Sequence, residues 1–249
     1  MSARALVALA TLLFAFTVLL RAPARWLLAA LPATIECRSP TGSLWRGSCA
    51  QLQIPGGTLS QVSWSLHPWP LLLLHLDADL RSADAHAAGS AHASLRLGGH
   101  LLLTQLQAQL PIEAGYVPFF PAGWSGQVEL ALDALELHSG QLVSIEGTAT
   151  ARALARRNPP MPFGSFELRF APGASNATGD DAAIRGELRD LGGPLAVTGT
   201  LSIRNGRDYL LSGLVAVRPG SDTELTKIIE YIGPPDAQGR RTFTLDGTF

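Results

Sequence analysis

Val128-Glu-Leu-Ala-Leu-Asp-Ala-Leu-Glu-Leu137 decides the fold. Val128, Leu130 and Leu132 fall on one side of an extended chain, with Glu129 and Asp133 off that side, a period of two that a helix cannot keep. The alternation slips at Ala134, and Leu135 and Leu137 then resume the apolar row, which predicts a β-bulge inside one long strand. The same period recurs in Phe166-Glu-Leu-Arg-Phe170, Leu195-Ala-Val-Thr198, Leu201-Ser-Ile-Arg204, Leu214-Val-Ala-Val-Arg218 and Phe243-Thr-Leu-Asp-Gly-Thr-Phe249. Gly126, Gly147, Gly164, Gly186, Gly199, Gly213 and Gly247 recur beside such runs at irregular spacing, so no fixed-period solenoid is built.

Turn signals separate the runs: Asn158-Pro-Pro160, Leu191-Gly-Gly-Pro194 and Asn205-Gly206, the last predicting a two-residue hairpin. Pro70-Leu-Leu-Leu-Leu-His-Leu76 is too short to span a membrane and reads as a buried strand. Helical spacing is confined to Thr223–Ile232, where Leu225, Ile228, Ile229 and Ile232 follow Asp222 and Gly233-Pro-Pro235 stops the run. With one apolar and one polar side per strand, the expected fold is mainly β. It is a large curved antiparallel sheet, an open, half-barrel or groove-like meander, with one short helix near the C-terminus. Phe243, Leu245 and Phe249 invite an outer-membrane barrel, but aromatics are only 7% of the chain, too few for girdles at two interfaces.

Across 249 residues, 47% are hydrophobic and 16% charged, and the formal net charge is -1. Apolar content of this order offsets chain entropy and excludes disorder, and the absent basic cluster excludes nucleic acid as the main partner. No nucleophile elbow, phosphate-binding loop, dinucleotide-binding glycine set or His-Glu-x-x-His is found, so no enzyme and no cofactor are expected. His75, His86, His92 and His100 lie close in sequence, yet none of these pairs has helical i, i+4 spacing, so they read as solvated strand or loop positions and no metal is expected. Asp77 and Asp79 share a strand face with Arg81, which reads as wet sheet surface.

Sixteen consecutive uncharged residues, Ala5 to Leu20, open the chain. As a helix they would reach about 24 Å, a little short of a hydrocarbon core of about 30 Å that snorkelling Arg21 and Arg25 and an interfacial Trp26 help to complete. Ala5, Leu6, Leu12, Phe14, Phe16 and Leu20 are the expected anchor residues. The rival is a cleaved leader with Ala22-Pro23-Ala24 as its small-residue site. Arg21 directly before that site and the apolar Trp26–Leu31 after it favour retention. Residues 1–31 thus form a tip, a transmembrane anchor and a juxtamembrane stretch, and residues 32–249 a β-rich domain. Arg4 on one side and Arg21 and Arg25 on the other leave the orientation open by charge. Cys37 and Cys49 flank a turn-like Ser39-Pro-Thr-Gly42, and a hairpin there brings the sulfurs together in an oxidising compartment, closing a short loop worth about 3 kcal/mol.

Three segments together resemble the type II secretion system protein N family. They are Gly42-Ser-Leu-Trp45-Arg-Gly47, Trp64-Ser-Leu66-His-Pro68 and Gly233-Pro-Pro235-Asp236-Ala-Gln-Gly239-Arg240. The family's Leu-Leu-x-Gly after the tryptophan strand is absent, because Leu71-Leu-Leu-Leu-His-Leu76 runs on without Gly. The resemblance implies a single-pass protein of the cell inner membrane with its bulk in the periplasm. It would serve as a non-catalytic accessory of type II secretion whose partners are secretin or inner-membrane platform subunits. On residue chemistry alone, the motif residues read as turn and core positions. Partner capture is expected at a sheet edge, either the first strand after Cys49 or Thr242–Phe249. The alternative is an AsmA-like module holding lipid in the sheet groove, unless Phe119, Phe120, Trp124 and Phe166 fill it.

Overall fold

A computed structural model describes residues 10, 14, 17–18, 21–25, 35–54, 57–70, 74–84, 87–112, 123–173 and 183–248. Of the expected anchor residues only Phe14 is among them, so the anchor as a whole lies outside the described residues, as do Phe119 and Phe120. Among the described residues no helix is long and apolar enough to cross a membrane.

Thirteen strands follow one another: β1 (Glu36–Gly42), β2 (Arg46–Ile54), β3 (Gly57–His67), β4 (His75–Ala83), β5 (Ala88–Arg96), β6 (His100–Pro111), β7 (Trp124–His138), β8 (Gln141–Arg156), β9 (Met161–Phe170), β10 (Ala183–Asp190), β11 (Leu195–Arg204), β12 (Asp208–Val217) and β13 (Arg241–Thr248), with helix α1 (Thr223–Glu230) between the last two. They form one antiparallel sheet in sequence order, so each strand pairs with its chain neighbours, and among the described residues β1 and β13 are the two edges. The bulge expected near Ala134 is present as a register shift between Leu132 and Ala134.

Register carries the alternation across the sheet. One face presents the row Leu66, Ala78, Ala93, Leu103, Leu135, Ile145 from β3 to β8 and the row Ala149, Leu168, Leu188, Gly199, Gly213, Phe243 from β8 to β13. The opposite face presents Thr148, Arg169, Glu187, Thr200, Ser212 and Thr244. The sheet bends around its apolar side. Leu142 N at the start of β8 donates to Gly206 O in the β11–β12 turn, 3.4 Å away, although β9 and β10 lie between them in the sheet. Phe170, Ile184 and Ile203 are buried inside that bend.

Two further clusters cover the ends. Ala24, Cys49, Val62, Trp64, Leu66 and Ala78 pack at the β1 side, and Leu225 and Ile229 of α1 pack on Met161, Leu195, Val197 and Val215. Asp222 caps α1 by accepting from Glu224 N at 2.9 Å, and the helix stops at Glu230, two residues before the expected Ile232. Aromatic rings on the apolar face lie over glycines directly opposite them: Trp64 on Gly47, Phe170 on Gly186, Phe243 on Gly213 and Tyr209 on Gly247. A Cβ at any of these four glycines would come within 3 Å of the ring. The glycines thus let large rings line the inside of a tightly curved sheet.

Several local expectations need correction. Ser39-Pro-Thr-Gly42 is not the turn between the cysteines: β1 runs through it, with Ser39 at φ 55°, and the hairpin turns at Ser43–Trp45. Proline is tolerated there because β1 is an edge and needs no amide on its outer side. Asn205-Gly206 belongs to a three-residue loop closed by the Arg204 and Asp208 pair. Pro70 does not open a buried strand: Trp69 and Pro70 form a turn, Leu74 is 65% exposed, β4 starts at His75, and Leu71–Leu73 lie outside the described residues.

Cys37 and Cys49 are joined, with Cα atoms 5.8 Å apart, and tie edge strand β1 to β2. Replacing both by alanine should lower the unfolding free energy by about 3 kcal/mol, read as a shift of the urea midpoint. A reductant should give the same shift in the native chain and none in the variant.

Candidate functional site

The described residues hold no group of three or more His, Cys, Asp or Glu placed for a metal. The nearest approach to a polar constellation is on the wet face. His92 Nδ1 lies 2.9 Å from Asp79 Oδ1 and His67 Nε2 lies 3.5 Å from Asp79 Oδ2, with the side chains 38–45% exposed. The hydrogen bond with His92 holds the Asp79 carboxyl below its ordinary value, helped by the charges of His67 and Arg81 against a partial burial penalty. A carboxylate held ionised between solvated imidazoles is a surface ion pair, and no nucleophile or oxyanion donor converges on it. Asp77 and Arg81 share this face, as expected. His86 lies outside the described residues.

Two of the three motif segments build one corner. Trp64 is 8% exposed, donates from Nε1 to Leu44 O at 3.1 Å and covers Gly47, while Leu66 N donates to Trp45 O at 2.7 Å. Gly42 sits at φ 88° where a Cβ would come 2.4 Å from Arg46 O. Leu66 is 7% exposed, and β3 ends at His67 just before Pro68. The third segment is a self-contained turn. Asp236 Oδ1 accepts from Gln238 N and Arg240 N, Oδ2 accepts from Arg240 Nε at 2.9 Å, and Gly239 takes φ 77°. The Arg240 amide, with lesser help from its guanidinium, keeps the Asp236 carboxyl below its usual value. Gly233 O accepts from the Arg241 guanidinium, and Pro235 lies between, so the segment aims the chain into β13.

The corner also holds a segment that sequence reasoning treated only as a cleavage candidate. Leu44 N donates to Ala22 O at 2.7 Å, Ala24 N donates to Gly42 O at 3.4 Å, and Pro23 forms a β-bridge with Ser43. Ala22 is 1% and Ala24 3% exposed.

The edges are unequal. β1 carries Pro40, is kinked at Ser39 and has its Gly42 end covered by Ala22–Ala24, all features that blunt an edge. β13 has eight residues, no proline, no lysine and an uninterrupted register with β12, and Leu245 on its apolar face is 58% exposed. The first strand after Cys49 is not an edge, since β3 pairs with both β2 and β4, and β2, which holds Cys49, pairs with β1 and β3. On the apolar face between β2 and β6 a cavity of about 300 Å³ is lined by Leu52, Leu59, Val62, Leu80, Leu106 and Leu110. Phe166 packs within the α1 cluster and Trp124 stacks on Phe163 at 4.7 Å between centroids, both away from that cavity's lining.

Asp190 and Arg218 were not foreseen. Arg218 Nη2 lies 2.5 Å from Asp190 Oδ1, Arg218 Nη1 donates to Gly193 O and Leu195 O, and Asp190 Oδ2 accepts from Val197 N. Burial pushes the Asp190 carboxyl up, but the bonds from Arg218, Val197 and Gly192 outweigh it and the net direction is down. Its stabilising contribution is therefore complete above the unfolded carboxylate value of about 3.9 and fades as pH falls through the lower folded value. Arg218→Ala should cost about 1–3 kcal/mol already at neutral pH. Urea midpoints across pH should then fall less steeply below pH 4 in the variant than in the native chain.

A family model described as type II secretion system (T2SS), protein N matches residues 33–244. A type II secretion system protein N of Aeromonas hydrophila is 25% identical over 223 residues, spanning 84% of this chain and 82% of that one. Its namesake from Vibrio cholerae serotype O1 is 24% identical over 223 residues, spanning 87% and 86%. No solved structure matches significantly.

Proposed function

Because the chain belongs to the type II secretion system protein N family, we propose that it works as a non-catalytic accessory of the type II secretion machinery. In this reading, residues 5–20 hold it in the inner membrane and residues 32–249 lie in the periplasm. Its partners are other secretion subunits, secretin or inner-membrane platform, taken up by strand addition at β13. The observation that carries the reading is the contrast between a blunted β1 and a regular β13 that has no outer neighbour among the described residues. An edge of that kind offers a row of amides and carbonyls to an incoming strand, with Leu245 as a side-chain contact on the apolar side.

A lysine at Leu245 puts a charge on the apolar side of the edge at a solvent-exposed position, so the sheet keeps its fold. In mild-detergent pull-downs followed by mass spectrometry, Leu245→Lys should weaken subunit capture roughly tenfold, about 1.4 kcal/mol. Undiminished capture by a folded variant rejects the edge.

The cavity of about 300 Å³ between β2 and β6 supports a second reading, in which an acyl chain of a phospholipid occupies the groove. The same purification separates the two. Near-stoichiometric secretion subunits support the scaffold, and stoichiometric phospholipid without them supports lipid handling.

A further inference from the structure

We propose that the sheet end carrying the β1–β2, β3–β4 and β5–β6 turns rests in the bilayer interface, so that the protein meets anionic phospholipid through its loops as well as its anchor. This rests on the anchored reading above. In the β1–β6 half of the sheet three connections turn at one end, the end where Ala22–Ala24 is bonded to Gly42 and Leu44. Only Arg21 separates Leu20, the last residue of the expected anchor, from Ala22. Two residues of chain reach at most about 7 Å, which sets this corner at the membrane surface.

The turns of this half are apolar where they are most exposed, unlike the β11–β12 turn at the same end with its exposed Arg204, Arg207 and Asp208. Trp69 is 79%, Leu74 65% and Leu97 71% exposed. Leu74 directly precedes and Leu97 directly follows the last β4–β5 pair, His75 with Arg96, so both stand at the same end of these strands. Ser43–Trp45, Pro68–Pro70, Leu74 and Leu97–Gly99 contain no charged residue. Exposed cations flank them: Arg21, Arg25 and Arg96. Tryptophan and leucine tips backed by arginines match the interface chemically, rings at headgroup depth and guanidiniums on phosphates. The opposite end also exposes Tyr231 and Ile232, but the charges near them in sequence are mixed and acid-rich: Asp222, Glu224, Glu230 and Asp236, with Lys227 paired to Glu224 and Arg240 to Asp236.

The disulfide leaves no free thiol among the described residues and takes up both cysteines of the chain, so a nitroxide can be placed on single cysteines in the full-length protein. Leu74→Cys, Leu97→Cys, Leu191→Cys at the far end and Val18→Cys in the anchor would each be reconstituted in vesicles of mixed neutral and anionic phospholipid. All four positions are exposed, and circular dichroism checks that each variant folds. Collision with oxygen relative to a nickel chelate should be several-fold higher at Leu74 and Leu97 than at Leu191. Water-like values at Leu74 and Leu97 with a lipid-like Val18 would overturn the proposal and leave the anchor standing. Lipid-like loops with a water-like Val18 would keep the loop contact but overturn the anchored reading, and with it the proposal as stated. Water-like values at all three would overturn both.

Discussion

Trp64→Ala should lower the unfolding free energy by about 3–5 kcal/mol, the range for truncating a buried aromatic, on a total of about 5–15 kcal/mol for a domain. The effect is large because one side chain serves three neighbours. Its ring fills the space above Gly47, where even a Cβ would come 2.4 Å from it. Its indole N–H satisfies Leu44 O at 3.1 Å, the residue whose own amide holds Ala22. It also packs in the cluster with Ala24, Cys49 and Val62. Truncation leaves a cavity, an unpaired carbonyl and a loosened β1–β2 turn together. Thermal unfolding should show the loss, and limited proteolysis should show cleavage near Ala22–Ala24 that the native chain resists. Trp64→Phe, which keeps most of the ring and drops the donor, should cost about 1–2 kcal/mol by the loss of one buried hydrogen bond. Equal costs for the two variants would mean that the ring contributes nothing by packing.

That corner shows where the sequence was readable and where it was not. Val128–Leu137 announced its strand, its faces and its bulge because each property is local, fixed by side-chain period along one chain. Which strand pairs with which followed from short turns, since a meander needs no long-range information. The run from Pro70 to Leu76 misled at its described residues Pro70 and Leu74, because a continuous apolar run is equally at home in a buried strand and in a loop, and the exposure of Leu74 separates the two there. Ser39-Pro40 misled in the opposite way: proline signals a turn on average, but an edge strand tolerates it. The docking of Ala22–Ala24 could not be foreseen, because nothing in three small residues names the corner that accepts them. The recurring glycines were noticed along the chain, but their purpose exists only across it, where Gly186 faces Phe170 and Gly213 faces Phe243.

Gly213→Val is where that cross-strand relation becomes a functional test. A Cβ at Gly213 would stand 2.3 Å from Thr198 O, 2.8 Å from Gly199 Cα and 2.9 Å from the ring tip of Phe243. Two of these obstacles are backbone of β11, so the strand cannot absorb valine by a change of rotamer. The cost should exceed the roughly 1–3 kcal/mol usual for overpacking. The cheapest relief is on the open side, where β13 has no outer neighbour among the described residues to hold it. Phe243 should leave the apolar face, and β13 should separate from β12 before the rest of the sheet unfolds. Hydrogen exchange should therefore quicken at Thr242–Thr248 and hardly change at Val128–Leu137, far from the edge in the strand order. Subunit capture should fall with it, even though no side chain proposed to touch a partner has been altered. Capture that survives a detached β13 would move the docking site off this edge, while uniform exchange across all strands would show that the sheet unfolds as one unit.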